Sequence, residues 1–507
     1  MIPLKTMNLF SRSLRARYLK PAFFLLLALY IFSLFGRVPD IDDAWVGEPA
    51  YWLANDGVAR SELMRGVNFQ EQQLVVHHKL LTITGASFIK TFGFSLYSLK
   101  TVSLFYFIFF VAIFILYTRN WKHLFSRDDV WLALIILFVY PWIFKYSFLF
   151  RPEVMAMTLG FIAYLFLERY LESEKYKTVN LFLSGIFLGL TVAAHLNGLV
   201  LAASAVVLLL WNKKFKALFP IGVGFILAFS IYFYDLISGY ELSLWKEQFF
   251  NSPALDTLGT GPVWIKPVFN LLDEHMRYFH NYKIIVFSVF LIVTLTIGFR
   301  FLAEKHTSLL RFALLVALFT GIIAMHKSRQ YILLDFPYLI ILITLTLKAI
   351  KEKRIARYRF GNAKFTERLI GFLCLLFVLS SLYFDILLSV KKFSPAQNKE
   401  LTEKYAGANS HGMNIVAPMT FIFNEIEDYN SIQSDLCYVE LQKTDPAIKG
   451  EGFFKKANDF DISLIMVSDY NRKLLGLTNY HKGDTIAGFR VIDNNPEMIV
   501  CKKINGK

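Results

Sequence analysis

Residues 37–52 read RVPDIDDAWVGEPAYW and follow directly on PAFFLLLALYIFSLFG, residues 21–36. The first stretch is polar and acidic, the second apolar enough to form most of a membrane-crossing helix, which takes ~20 such residues. Asp40, Asp42 and Asp43 therefore stand where the chain leaves the hydrocarbon, with Glu48 a little further on and Trp45, Tyr51 and Trp52 between and beyond. Aromatic side chains with a polar edge favour that interface. Carboxylates gathered at such a depth need a partner or a task.

The composition agrees with a membrane reading. Hydrophobic residues make up 55% of the 507, aromatic residues 17%, and the mean hydropathy is +0.45. A soluble globule holds roughly 45–50% apolar residues. The net charge of +15 would suggest a polyanionic partner in a soluble chain. Here Lys and Arg collect in short loops beside apolar runs, so the basicity reports topology. Cys374, Cys437 and Cys501 have no paired metal-binding spacing, and the last two could form at most one bridge. The basic N-terminus (Lys5, Arg12, Arg15, Arg17, Lys20) precedes the first apolar run with no small-residue cleavage site after it, so that run reads as a retained helix.

Hydropathy places spans near 20–36, 98–118, 130–146, 152–169, 180–195, 197–211, 217–236, 283–302, 308–325, 331–349 and 367–390, about eleven in all. The loops YTRNWKHLFSRDD, ERYLESEKYKT, WNKKFK, FRFLAEKHTSLLR and KAIKEKRIARYRFGNAKFTER carry the basic excess and fall on one side. The N-terminus then lies inside. Loops 37–97 and 237–282, the FRPE turn, AHLNG, MHKSRQ and the tail lie outside. The tail, 391–507, changes to strand-length apolar runs in MNIVAPM, ISLIMVSD and FRVIDNN, separated by turn residues. The expected architecture is a polytopic α-helical membrane domain, 1–390, including both long outer loops, followed by a small extracytoplasmic α/β domain, 391–507.

Several residues have both a chemical and a structural reading. A carboxylate at Asp42 or Asp43 can take the proton of an attacking hydroxyl or amine. Equally, Asp42 is an N-cap for a short helix beginning near Ala44. His78 and Lys79 stand at the bilayer edge, where Lys either binds a phosphate or snorkels. Neighbouring His77 and His78 do not share a helix face, which disfavours a metal pair. Pro152 and Glu153 in F150-RPE suit a helix start, while Arg151 and Glu153 face the compartment of Asp42. Asn197 and Gly198 suit a tight turn, leaving His195 as a polar group at the membrane edge. In H326-KSRQYILLDFP, Lys327 and Arg329 lie outside against the charge trend, with Tyr331 and Asp335 at helical spacing. Arg suits bidentate phosphate contacts and Lys a point charge.

Taken in order, D42-DAW, HHKLLTITGASFIKTFGFSLYSLK, R151-PE, H195-LNGL and K327-SRQYILLDFP resemble the family 39 type of GT-C glycosyltransferase, which includes protein O-mannosyltransferases and the lipid A aminoarabinose transferase. The similarity runs over about 21–350. Two departures stand out: Asp43 replaces the family's usual Glu, and His78-Lys79-Leu80 stands where Pro-Pro is usual. The resemblance implies a polyprenyl-phosphate sugar donor, an acceptor that is a lipid, glycan or protein, transfer at the outer face of a plasma (inner) membrane, and inversion. It implies Asp42 as base with Asp43 beside it. Lys79, Lys327, Arg329 and Tyr331 would contact the donor phosphate, and Glu48, His78, Arg151, Glu153, His195 and Asn197 would shape the cavity and acceptor side. No metal site follows from the residues, although Asp40, Asp42 and Asp43 offer oxygens compatible with a divalent ion. Two rivals remain: a flippase for a lipid-linked glycan, which calls for charges within the spans and repeat symmetry, and a noncatalytic scaffold with an outer sensor domain.

Overall fold

A computed structural model describes residues 12–76, 78–172, 177–237, 242–251, 271, 274–279, 282–324, 329–355 and 363–504. Helices stand at every span read from hydropathy. Six of them are long and apolar enough to cross a membrane: Leu96–Trp121, Pro152–Glu172, Lys177–Ala194, Phe215–Leu236, Ile284–Lys305 and Lys364–Val390. Tyr18–Leu34, Leu196–Trp211 and Thr307–Ile323 are apolar but shorter. Two expected spans are interrupted. The run 130–146 is two helices, Arg127–Val139 and Pro141–Tyr146, because Pro141 lacks an amide hydrogen and starts a new helix at its first position. The run 331–349 opens as a 3-10 segment, Arg329–Leu334, before the helix Phe336–Lys351 takes over with Pro337 in its first turn.

The chain divides into two compact units. The first comprises Met1–Arg37, Ser103–Tyr234 and Leu258–Lys392; the second comprises Val38–Val102, Asp235–Thr257 and Phe393–Lys507. The tail thus shares its unit with the segments 38–102 and 235–257, which the sequence reading grouped with the membrane helices.

In the first unit large apolar side chains point outward from long helices: Leu25 is 73% exposed, Phe219 79% and Ile226 69%. Such a surface suits lipid contact and not water. Without a hydrophobic drive between helices in lipid, close backbone approach must supply the packing. Gly185 and Gly189, spaced as small-xxx-small on the Lys177–Ala194 helix, let the backbone of Ile221 and Phe225 come directly against it, and Gly224 returns the favour to Phe182. A Cβ at Gly185 would collide with the Ile221 carbonyl. Gly185→Val is expected to destabilise the protein by about 1–3 kcal/mol, the usual cost of overpacking, seen as a lower unfolding temperature in detergent. Arg37, buried at the end of the first helix, donates to the carbonyls of Phe144 (2.8 Å) and Lys145 (3.2 Å) and so fastens that helix to Pro141–Tyr146.

In the second unit the tail forms a six-stranded sheet from β1 (Asn414–Ala417), β2 (Ser431–Ser434), β3 (Ile462–Ser468), β4 (Thr485–Ile486), β5 (Phe489–Asn494) and β6 (Met498–Lys503), in the order β2-β1-β3-β6-β5-β4. β1 runs parallel to β2 and β3; the remaining pairs are antiparallel. ISLIMVS is nearly all apolar because β3 lies in the middle of the sheet and is buried almost throughout. Between β2 and β3 the helices Asp435–Thr444 and Glu451–Asp459 cover the sheet through Tyr438, Phe453 and Phe454. Asp435, fully enclosed, accepts from the backbone N–H (3.0 Å) and hydroxyl (2.6 Å) of Ser468 and pins the first of these helices to the end of β3. Within this unit the tail is joined to the segment 61–66: the Ser434 N–H donates to the Leu63 carbonyl (2.9 Å) and the Cys437 thiol to the Arg65 carbonyl (3.1 Å). All three cysteines are free thiols.

Candidate active-site residues

The DIDDAW stretch folds as a five-residue helix, Ile41–Trp45, whose N-cap is Asp40 and not Asp42. Asp40 is extended and its carboxylate accepts from the Asp42 N–H (3.5 Å), while the Asp43 carboxylate accepts from the Asp40 N–H (2.8 Å). This reciprocal box satisfies helix donors that would otherwise lack partners. Asp43 is wholly buried, and the equally buried Lys100 places its ammonium 3.2 Å from the Asp43 carboxylate and donates to the Val38 carbonyl at 3.0 Å. Asp43 is therefore locked by a cap and a cation. Asp42, at the next helical position, supplies neither carboxylate of the box and stays half-buried.

Glu48 begins the helix Gly47–Asn55 and is buried. Its oxygens accept from Trp52 Nε1 (3.0 Å), the Ser61 hydroxyl (2.6 Å), the Glu62 N–H (2.8 Å) and the Leu63 N–H (3.1 and 3.2 Å). It braces the loop after the helix, and its lone pairs are spent on the protein itself. Burial pushes its carboxyl up to about 7, with the hydrogen bonds pulling the other way. Its value in the folded protein thus exceeds the ordinary 4.5. The stabilisation linked to this proton is complete below the unfolded pKa and is lost as pH rises through the folded one. Wild type is expected to lose stability relative to Glu48→Gln between about pH 4.5 and 7, measured as paired unfolding temperatures; parallel curves would refute it.

Lys79 opens the helix Lys79–Phe92 and is buried in an ion pair with Asp235, its ammonium 5.2 Å from the centre of the Trp245 ring. A buried, paired lysine does not snorkel. His78, half-buried, occupies the N-cap of that helix without a side-chain cap bond. Beside them Gln248 clamps the segment 68–76, donating to the carbonyls of Asn68 and Gln73 and accepting from the amides of Val75 and Val76.

The first unit gathers a second set. Arg151 binds Glu153 in a fork, Nε at 3.1 Å from both oxygens and a terminal nitrogen at 2.7 Å. Such bidentate pairs fix orientation as well as charge. His195 accepts the Asn197 N–H at Nδ1 (2.9 Å), which leaves Nε2 as the protonated nitrogen of the neutral ring. The Tyr331 ring meets His195 edge-on at 5.3 Å, and the Tyr331 hydroxyl bonds the Asn197 side chain. Arg329, half-buried, begins the same 3-10 turn as Tyr331. RPE, HLNG and RQY, far apart in sequence, thus meet. Lys327 lies outside the described residues.

Sequence reasoning passed over Lys100, Asp235 and Arg277. Arg277 is buried, paired with Glu274 at 2.9 Å and hydrogen-bonded to the carbonyls of Thr320 and Ala324. The available signal was a lone charge inside an apolar run, as in SLYSLKTVSLF and SIYFYDLI. Among the described residues no group of three or more His, Cys, Asp or Glu is placed to hold a metal ion. Asp40 and Asp43 direct carboxylate oxygens at backbone N–H groups and Asp43 faces Lys100, an arrangement that serves helix and cation and does not converge on an ion.

The helices, the small α/β tail and the short acidic helix after the first apolar helix follow a fold that this chain shares with solved membrane glycosyltransferases. ArnT from Cupriavidus metallidurans, solved bound to undecaprenyl phosphate, superposes with a TM-score of 0.59 at 12% identity, covering 96% of this chain and 98% of that one. The Archaeoglobus fulgidus oligosaccharyltransferase, tethered to an acceptor peptide containing the NVT sequon, superposes at 0.52 and 13% identity over 93% of this chain and 72% of that one. The sequence matches no protein-family model and no curated protein.

Proposed function

We propose that this chain is an integral-membrane glycosyltransferase that moves a sugar from a polyprenyl-phosphate donor to an acceptor hydroxyl or amine. The observation that carries the reading is correspondence of fold along nearly the whole of both chains with ArnT, whose solved form holds undecaprenyl phosphate. In this reading all eleven apolar segments cross a plasma (inner) membrane with the N-terminus inside, 1–390 forms the membrane domain, and 391–507 is an extracytoplasmic module that touches acceptors.

The chemistry assigned is a single displacement. Asp42 takes the proton from the acceptor as its oxygen or nitrogen forms a bond to the anomeric carbon. The bond from that carbon to the phosphate oxygen breaks, and its electron pair leaves with the phosphate. Arg329, Lys327 and the Tyr331 hydroxyl steady the departing charge, while Lys79, buried in its ion pair with Asp235, holds its own helix in place. One displacement inverts the anomeric configuration. Asp43 acts through Lys100 and the cap to hold the Asp42 helix, with Glu48 and His78 shaping the second unit, while the Arg151–Glu153 fork, His195 and Asn197 hold the shape of the first unit at Tyr331. A divalent ion has no role assigned to it in this scheme.

Reconstitution in vesicles with labelled polyprenyl-phosphate sugars, with and without chelator, tests the reading against its rivals. Release of polyprenyl phosphate with labelled acceptor supports transfer. Movement of intact lipid across the bilayer without release would make the chain a flippase, and neither activity in a folded protein would leave the scaffold.

A further inference from the structure

The first unit contains a cavity of about 860 Å³ among the helices Tyr282–Lys305, Thr307–Ile323 and Phe336–Lys351. Its walls are mostly apolar, and Ile292, Phe299 and Leu314 on its rim are each about half exposed, so it opens sideways to the apolar outer surface of the helices. It extends from Ser288 to Arg300, twelve residues of helix or about 18 Å at 1.5 Å per residue. That length and lining suit a single hydrocarbon chain.

One end is different. Asp335 lines the cavity while only 1% exposed, and its Oδ1 has no hydrogen-bond partner among the described residues. Among the described residues its other oxygen meets the Tyr278 hydroxyl alone, at a long 3.5 Å. A carboxyl buried without a counter-charge is costly, and at the N-cap of the helix Phe336–Lys351 the Asp335 side chain makes no cap hydrogen bond that would account for it. Among the described residues the neighbouring groups do not answer it. Arg277, next to Tyr278 in the chain, is engaged by Glu274 and two carbonyls. His275 spends both ring nitrogens on the carbonyls of Leu271 (2.7 Å) and Ala317 (3.0 Å), and the Ser288 hydroxyl is held by the Tyr278 carbonyl. Arg300 stands at the opposite end, exposed.

We infer that this cavity is a binding site for a membrane amphiphile with a long apolar chain and an ammonium head, the chain lying along the helices and the head meeting the Asp335 carboxylate. The inference does not depend on the transfer chemistry proposed above. An alcohol could offer a hydrogen bond but no charge, and an anionic head would be repelled by Asp335.

The test is native mass spectrometry of the full chain in detergent, titrated with hexadecylamine, hexadecanol or hexadecanoate. Hexadecylamine should bind once per chain and at least about ten-fold more tightly than the other two, the range of a charge-assisted hydrogen bond. Asp335→Asn should erase that preference, and Ala313→Trp, which fills the cavity wall without touching the carboxyl, should abolish saturable binding. If Asp335→Asn fails to fold, the amine-to-alcohol ratio of wild type decides the chemistry and Ala313→Trp the location. Equal binding of all three probes, tightest binding of hexadecanoate, a preference that survives Asp335→Asn, or binding unchanged in Ala313→Trp would each overturn the inference.

Discussion

Asp42→Asn is expected to lower sugar transfer about 10²–10⁴-fold, the contribution of a positioned general base, with the protein still folded. Two structural facts separate this outcome from simple damage. The cap of the Ile41–Trp45 helix is built from the carboxylates of Asp40 and Asp43, so Asn at 42 removes neither. The backbone N–H that Asp42 gives to Asp40 is also unchanged by the substitution. Asp40→Ala serves as the contrast, because it breaks the cap and should cost about 1 kcal/mol in stability. Turnover under saturating donor, compared with unfolding temperature for both variants, reads the difference. Wild-type turnover in Asp42→Asn would remove Asp42 from the chemistry.

Lys100→Met is expected to destabilise the second unit by about 3–5 kcal/mol, because it strands a buried carboxylate. Asp43 and Lys100 are both inaccessible to water, and the ammonium is the cation facing that carboxylate at 3.2 Å. The methionine keeps the stem's volume and removes the charge. Adding Asp43→Asn should restore much of the loss, since a neutral pair escapes the desolvation cost of ions while Asn can still accept from the Asp40 N–H. The double-mutant cycle, followed by unfolding in detergent, isolates the pair. Equal stability of wild type and Lys100→Met would mean that Asp43 is not held as an ion. Because Asp43 is the third helical residue of the turn that carries Asp42, loss of the pair should also lower turnover, and the double variant should regain stability before it regains activity.

The membrane helices were legible because hydropathy is local: a run of about twenty apolar residues declares itself without tertiary information. Their interruptions at Pro141 and before Phe336 were less visible, since a proline is tolerated in many helices and only the surrounding packing decides whether the axis breaks. In the tail, β1, β3 and β5 stood out as apolar runs, whereas β2, reading SIQS, is polar in sequence and fully buried at the edge of the sheet. Its burial comes from covering elements that no strand pattern encodes.

The same contrast holds for the site residues. RPE, HLNG and RQY were each weak turn or helix-start signals, and their meeting around Tyr331 is a tertiary fact. The role of Asp40 as cap instead of Asp42 turns on a two-residue shift in where the helix begins, a boundary that sequence patterns locate poorly. The partners Lys100 for Asp43 and Asp235 for Lys79 come from distant segments, so only the isolated charge in an apolar run hinted that a partner existed.

The most direct test of the account is the stoichiometry and stereochemistry of transfer by the purified full chain in nanodiscs, across a panel of polyprenyl-phosphate sugars and acceptors. At least one donor should yield one polyprenyl phosphate for each sugar transferred, with the anomeric configuration of the product opposite to that of the donor. A folded protein that binds the lipid yet releases no polyprenyl phosphate from any donor would contradict it.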